Sequence, residues 1–367
     1  MFFPQFRQSI ATVLPILLLF AHFPVTTSNA QDVTVKVKSK GRDYVGRPLV
    51  NTGREVVLQR RDGRISVLPI NKGSKGLKVV SRSFVPYEKD KIRLRLQKEF
   101  GGKYQVSLTR NFVVVHPPGD YQDWAMPFEN LYQRFRNYFS SRGLSVDKPE
   151  FPMIAVVLRT YREFEKMTAI YPGLGNNVLG YYSQKSNRII TFDPTNGRSR
   201  NRGIQFEETL IHEAVHQTAF NTGVHERFAG TPKWVLEGLA CMFEAKGVHN
   251  SMFFSQLQDR INKDRLVSLK YYYSKKQAQG KLKKFIVGDK YFQANTSLAY
   301  AYSWGLTFFL AENFPTEFFN FLRSDAERKP FREYTASERL SAFEKAFGTD
   351  VKGMEKRMER FILNLRM

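Results

Sequence analysis

Short alternating runs of apolar and polar residues dominate the first third of the chain after its N-terminal segment. Alternation with a period of two predicts half-buried strands, because successive side chains of a strand point to opposite faces. Asp62-Gly63 lies between two such runs and is typical of a hairpin turn. One stretch, VPYEKDKIRLRLQKEFG, predicts a short helix that ends at Gly101. We therefore expect a small β-rich N-terminal domain over residues 31–118, with HPPGD at 116–120 as the linker.

The remaining residues, 119–367, alternate between helical and strand patterns before becoming mostly helical. The segment AMPFENLYQRFRNYFSSRG has apolar residues every three or four positions and predicts a helix that ends at Gly143. FPMIAVVLRT predicts a buried strand, and VLGYYSQKSNRIITFD predicts a hairpin that turns at 185–187. The mostly helical pattern of residues 250–367 predicts a helical C-terminal part. The fold class is therefore α+β, with a mixed sheet in the second domain.

The helix predicted over about 205–221 contains the most specific chemical pattern in the chain. On a helical wheel, His212, Glu213 and His216 lie opposite an arc of apolar side chains. Histidines four residues apart share one helix face, so both imidazoles can reach a single tetrahedral zinc ion. Glu213 lies about a quarter turn away, where it can act as the general base toward the water that such an ion activates.

A catalytic zinc site normally has three protein ligands, and the next predicted helix offers the third. GTPKWVLEGLACMFEAKG predicts a helix over about 232–246, with Thr231 as its N-cap. It carries Glu237 as the candidate ligand, and the missing side chain of Gly238 would let it approach the motif helix closely. Glu244, two turns later, is predicted to hold a ligand imidazole in its tautomer, with a surface acid as the alternative.

These segments resemble the gluzincin zinc metallopeptidases, which pair HExxH with a glutamate ligand on the following helix. The matching residues are His212-Glu213-x-x-His216 and Trp234-x-x-Glu237-Gly238-Leu239-Ala240. With GYYSQKSNRIITFD and YAYSWGL, they are similar to a family of exported, gluzincin-like peptidases of largely uncharacterised function, over about residues 150–312. The resemblance implies a zincin-like domain over 119–367, the two histidines and Glu237 as zinc ligands, and Glu213 as base.

The same resemblance implies a tyrosine on a later helix that stabilises the oxyanion, and Tyr300 in YAYSWG is its match. A purely packing role is the alternative for Tyr300, as it is for Tyr302. It also suggests that the strand RIITFD is a sheet edge that aligns an extended peptide. His225 does not complete a metzincin pattern, because Ala219 and Thr222 stand where that pattern needs glycine and histidine. His249 and His116 have no ligand spacing.

The N-terminus has one basic residue, Arg7, then an apolar stretch from Ile10 to Ala21 and small residues before Ala30. This order predicts a secretory signal over residues 1–30, cleaved after Ala30, with an uncleaved anchor as the alternative. No later segment has the roughly 18 consecutive apolar residues that a spanning helix needs. We therefore expect a secreted or periplasmic protein with no transmembrane span after cleavage.

The formal net charge is +23, and +22 once residues 1–30 are set aside, because they hold one arginine and no acid. Such a charge attracts anionic envelope surfaces, although solubility alone is the simpler explanation. The lysines and arginines are dispersed and form no nucleic-acid motif, so nucleic acid is not an expected partner. Cys241 is the only cysteine, which excludes an intramolecular disulfide and favours a small buried side chain.

Together these patterns predict a Zn²⁺-dependent metallopeptidase that acts on peptide or protein substrates. Two other functions remain open. One is a non-catalytic or degenerate scaffold whose basic surface binds an anionic envelope polymer. The other is a zinc amidase that acts on a non-peptide amide. The N-terminal domain could serve as inhibitor, targeting module or scaffold.

Overall fold

The computed structural model describes residues 32–70, 77–169, 178–199, 201 and 203–367. The fold is α+β, as predicted: a β-rich N-terminal region precedes a mixed sheet and a helical C-terminal part. The predicted signal sequence and its cleavage site lie outside the described residues. Within these ranges, no helix combines the length and the hydropathy that a membrane-spanning segment requires.

An antiparallel sheet of five described strands forms the N-terminal region, in the order β4-β3-β2-β1-β5. The predicted hairpin at Asp62-Gly63 is confirmed: Gly63 has a φ of 79°, and its N–H donates to the carbonyl of Arg60 over 2.8 Å. Glycine reaches this conformation without steric cost. The strands are β1 Thr34–Ser39, β2 Arg42–Asn51, β3 Glu55–Arg60, β4 Ile65–Pro69 and β5 Leu77–Ser81.

The second sheet has the order β6-β7-β8-β10-β9 over its described strands. Its three central strands are parallel, and both edge strands are antiparallel to their neighbours. The central strands are buried on both faces, which explains their continuous apolar sequences. The strands are β6 Gln105–Leu108, β7 Phe112–His116, β8 Met153–Leu158, β9 Gly180–Ser183 and β10 Arg188–Phe192.

Two features of this sheet differ from the sequence-based expectation. Strands β6 and β7, which we predicted as part of the N-terminal domain, pair with the second sheet through β8. The change of sheet therefore falls between Ser81 and Gln105, upstream of the predicted linker at 116–120. The strand RIITFD is also not an edge, because β10 lies between β8 and β9. The edge strand is β9.

The two sheets meet at the β9–β10 hairpin. The N–H of Ile65 in β4 donates to the carbonyl of Lys185 in the hairpin turn over 2.7 Å. Arg227, which is buried, donates to the carbonyls of both Gly63 and Gln184. The N-terminal sheet is therefore hydrogen-bonded to the turn between β9 and β10, and it stabilises the position of the edge strand β9.

The helices are as follows over the described ranges. They are α1 Lys89–Phe100, α2 Tyr121–Trp124, α3 Met126–Ser140, α4 Tyr161–Thr168, α5 Ile204–Asn221, α6 Lys233–Phe243, α7 Lys246–His249, α8 Lys263–Ser274, α9 Leu282–Val287, α10 Tyr291–Ala294, α11 Thr296–Asn313, α12 Pro315–Ala326, α13 Ala336–Phe347 and α14 Val351–Asn364. The predicted helix ending at Gly101 and the helical part after residue 250 are confirmed. Most apolar side chains of α5, α6 and α11 belong to one large core.

Helix α6 begins and ends differently from the prediction. Thr231 is not its N-cap, because the helix starts at Lys233 and Pro232 occupies the cap position without a side-chain hydrogen bond. The carboxylate of Asp289 accepts the free N–H of Lys233 over 3.0 Å instead, so a distant segment supplies the cap. The helix ends at Phe243, before the predicted end near residue 246.

Gly238 permits a close helix contact, but with a different helix than we predicted. A Cβ at this position would lie 2.1 Å from Thr307 Oγ1 and 2.5 Å from the carbonyl oxygen of Ser303, both on α11. Both groups are buried, and the carbonyl belongs to helix backbone, so neither can easily move away. The missing side chain therefore allows α6 to pack on α11.

Gly238→Ala should destabilise the fold by about 2 to 3 kcal/mol, because the added methyl group overpacks this helix contact. The measurement is the free energy of unfolding in urea, followed by circular dichroism. Gly102→Ala is the matched control, since a Cβ there meets no atom within 4 Å. Equal stability of the two variants would contradict the proposed helix contact.

Candidate metal centre

The three predicted ligands converge on one point between α5 and α6. His212 Nε2 lies 3.1 Å from Glu237 Oε2 and 3.1 Å from His216 Nε2, and His216 Nε2 lies 3.5 Å from Glu237 Oε2. Ligand atoms 2.0 to 2.1 Å from a tetrahedral zinc ion are separated by about 3.3 Å. The three distances thus match the edges of one face of such a tetrahedron.

The surroundings of these side chains fit a bound cation. All three are buried, and Glu237 Oε1 has no hydrogen-bond partner in the described part of the chain. Burial alone would raise the pKa of Glu237, but the imidazoles of His216 and His212 hold it well below its ordinary value. A buried carboxylate facing two imidazole nitrogens requires positive charge between them. The triad can therefore hold a metal ion.

Glu244 orients the first of the two imidazoles. His212 Nδ1 lies 2.7 Å from Glu244 Oε1, so the ring donates its Nδ1–H to the carboxylate. This hydrogen bond fixes the tautomer in which the Nε2 lone pair faces the other ligand atoms. The other oxygen of Glu244 accepts from Asn262 Nδ2 over 2.6 Å. The surface position considered for Glu244 is thereby excluded, since its side chain is 10% exposed.

Glu213 lies beside the triad and is held from the edge strand. The backbone N–H of Tyr182 in β9 donates to Glu213 Oε2 over 2.7 Å, while Oε1 has no partner among the described residues. Burial raises the pKa of Glu213, although the imidazoles of His212 and His216 oppose this. A Cβ at Gly180 would lie 3.3 Å from Glu213 Cγ, so the strand can approach the carboxylate because that position is glycine.

Tyr300 on α11 lies against the same histidine. Its ring stacks on His212 with 6.1 Å between centroids and 29° between planes. Its hydroxyl is buried and has no hydrogen-bond partner within the described ranges. Burial, with the nearby Glu237 carboxylate, raises the pKa of Tyr300 well above its ordinary value, so the phenol keeps its proton. Tyr302 instead packs on Phe285 and donates to Glu355, away from the triad.

The three other histidines in the described ranges are not part of the triad. His249 Nδ1 donates to the carbonyl of Phe243, and His116 contacts the Pro117 carbonyl and the Ser107 hydroxyl. His225 is buried with its ring 5.5 Å from that of Phe220. These positions agree with their lack of ligand spacing in the sequence.

Cys241 is buried and free, as predicted, and it lies close to the candidate centre. Its thiol, His212 and Glu244 form a second group that offers ligand atoms within 4.8 Å of one another. The Arg265 guanidinium lies 3.9 Å from the Glu244 carboxylate, however, and would repel a second cation. We therefore assign the metal position to the His212, His216 and Glu237 group.

Two residues that contact Glu244 were not predicted from the sequence. Asn262 is the N-cap of α8, and Arg265 lies in the first turn of that helix. Asn262 could have been recognised as a helix cap before the apolar pattern of α8, since its side chain accepts the Arg265 N–H. Nothing in its spacing connects it to a carboxylate 18 residues earlier. The link becomes visible only when α8 docks beside α6.

One family model matches part of the chain, over residues 207–332, and its description is "Protein of unknown function (DUF1570)". The matched segment runs from the first turn of α5 into the region after α12. It contains the triad, Glu213, Glu244 and Tyr300, whereas β9 lies outside it, and its description names no activity. Comparison with curated proteins gives no match.

Glu237→Gln should weaken divalent-metal binding by at least about 100-fold, because the amide removes the only negative charge among the three ligands. The measurement is zinc affinity by competition with a chromogenic chelator at fixed pH. Glu99→Gln is the matched control, since Glu99 pairs with Arg188 on the other side of the second sheet. If both variants retain the affinity of the unaltered protein, Glu237 is not a ligand.

Proposed function

We propose that the protein is an exported zinc metallopeptidase that hydrolyses peptide bonds. The observation that supports this function most directly is the convergence of two imidazoles and one carboxylate within 3.5 Å, with a second carboxylate beside them. Two histidines and a glutamate form a common ligand set of catalytic zinc sites, which leave a fourth position for water or substrate. When bound, zinc would polarise the scissile carbonyl and lower the pKa of water to about 7.

Glu213 is proposed as the general base. Its Oε1 atom is buried and unpaired, whereas its Oε2 atom is held by the Tyr182 N–H. One oxygen is thus free to accept the proton of the attacking water while the other keeps the side chain in place. The same carboxyl group would then deliver this proton to the leaving amine.

Tyr300 is proposed to stabilise the oxyanion of the tetrahedral intermediate. Its hydroxyl is a protonated donor in a buried setting, which is the state that such a role requires. The stacking on His212 holds the ring next to the ligands. Because no described group competes for the hydroxyl, it is available to a substrate oxygen.

The edge strand β9 is proposed to align an extended substrate by main-chain hydrogen bonds. The backbone groups of successive residues in β9 point alternately toward β10 and away from it. The N–H of Tyr182 points away from β10, toward Glu213. The peptide groups that face outward therefore lie on the same side as the base. A peptide paired with this edge would place its backbone beside the metal centre.

Glu213→Gln should leave zinc bound and reduce kcat/KM by about 10² to 10⁴, because the amide cannot accept the proton. The measurement is cleavage of a diverse peptide pool by zinc-loaded protein spanning residues 31–367, followed by kinetics on a cleaved peptide. Glu207→Gln, an exposed change on the same helix, is the control. Unchanged proteolysis in the Glu213 variant, or no cleavage by the unaltered zinc-loaded protein, would contradict the proposal.

Gly180→Val should lower kcat/KM at least about tenfold without changing the zinc content. A Cβ there would already lie 3.0 Å from Thr209 Cγ2 and 3.3 Å from Glu213 Cγ, so the larger side chain must displace the base. Gly288→Val is the control, because its Cβ meets no atom within 4 Å. Full activity in the Gly180 variant would show that the spacing between strand and base is unimportant.

A further inference from the structure

A closed ring of four contacting side chains includes the first ligand, His212. His212 bonds to Glu244, and the Glu244 carboxylate lies 3.9 Å from the Arg265 guanidinium. Arg265 in turn lies over the ring of Tyr300, with 5.1 Å between its Cζ atom and the ring centroid. Tyr300 stacks on His212 and closes the ring. Arg265 therefore contacts both neighbours of the ligand without contacting the metal position itself.

The location of Arg265 is unusual for an arginine. The residue is 7% exposed, although it lies in the first turn of α8, where Lys263 and Asp264 are exposed. A buried guanidinium is costly unless charge and packing compensate it. Here Glu244 supplies the opposite charge, and the Tyr300 face supplies a cation–π contact.

The start of α8 is held to the same carboxylate by a second residue. Asn262 caps the helix by accepting the Arg265 N–H over 3.2 Å. Its amide nitrogen donates to Glu244 and to the carbonyl of Cys241 on α6. The backbone that carries Arg265 is thus fixed to α6, and the guanidinium has a defined position.

We infer that Arg265 is a positioning residue of the metal centre, which fixes the carboxylate that orients His212 and the tyrosine that stacks on it. Its effect on turnover rests on the proposed peptidase function, whereas its effect on metal binding does not. Loss of Arg265 should disturb both sides of His212 at once. Metal affinity and kcat would then fall together, while KM would change little because Arg265 is buried and lies on α8, not on the proposed substrate-binding strand.

A lysine at this position should separate the two effects. Lys keeps the positive charge beside Glu244, but its ammonium lacks the planar group that lies flat on an aromatic ring. We therefore expect Arg265→Lys to recover most of the metal affinity and little of the kcat. Arg265→Met, which keeps a long apolar stem without charge, should lose both.

The experiment measures zinc affinity by chelator competition, the visible spectrum of the Co²⁺-substituted protein, and kcat and KM on a cleaved peptide. Arg265→Met should bind zinc about tenfold more weakly, shift the Co²⁺ absorption bands and lower kcat about tenfold or more. Arg265→Lys should bind zinc within about threefold of the unaltered protein and retain a reduced kcat. Arg260→Met is the matched control, because it removes a partly buried arginine paired with Glu312 outside the ring.

Unaltered zinc affinity and Co²⁺ spectrum in a folded Arg265→Met variant would overturn the inference. If that variant does not fold, Arg265→Lys decides: full kcat and an unshifted Co²⁺ spectrum would overturn it equally. If no peptide is cleaved by the unaltered zinc-loaded protein, the peptidase proposal fails. The affinity and spectrum of the two Arg265 variants then still test the positioning role.

Discussion

The site is organised by one electrostatic constraint, which is that two imidazoles and one carboxylate are buried with their ligand atoms 3.1 to 3.5 Å apart. Such a group is stable only if positive charge lies among its members, supplied by a proton or by a metal ion. The pKa of His212 reflects this demand. Burial lowers this pKa, but hydrogen bonds to Cys241, Glu237 and Glu244 raise it well above its ordinary value.

Much of the surrounding fold can be understood as support for this arrangement. Gly238 lets α6 pack closely on α11, which carries Tyr300, and Gly180 lets the edge strand approach Glu213. The hairpin that contains this strand is in turn braced by the N-terminal sheet. The N-terminal region therefore acts at least as a structural brace for the edge that we propose to bind substrate.

The side chains that the sequence groups together, and that the structure brings together, are those governed by local geometry. The positions of His212, Glu213 and His216 follow from helical periodicity within α5, and Glu237 follows from a second amphipathic helix soon after. The N-terminal strands and the β9–β10 hairpin were also visible, because alternation and turn residues act over a few positions. The α+β class follows from the order of these elements.

What the sequence did not predict depends on long-range pairing. Periodicity does not give the order of strands in a sheet. The resemblance suggests RIITFD as an edge, whereas β10 is internal, and β6 and β7, expected in the N-terminal domain, pair in the second sheet. The cap of α6 comes from Asp289, and the partners of Glu244 come from α8. These contacts are set by how helices dock, and a single sequence carries no local signal for them.

The most direct test of the account is X-ray absorption spectroscopy at the zinc edge on purified protein spanning residues 31–367, after dialysis against metal-free buffer. We expect one zinc per chain, bound by two imidazole nitrogens and by oxygen at about 2.0 to 2.2 Å, with no sulfur ligand. A protein that retains no zinc would contradict it, and so would a zinc–sulfur distance of about 2.3 Å, which would indicate Cys241 as a ligand.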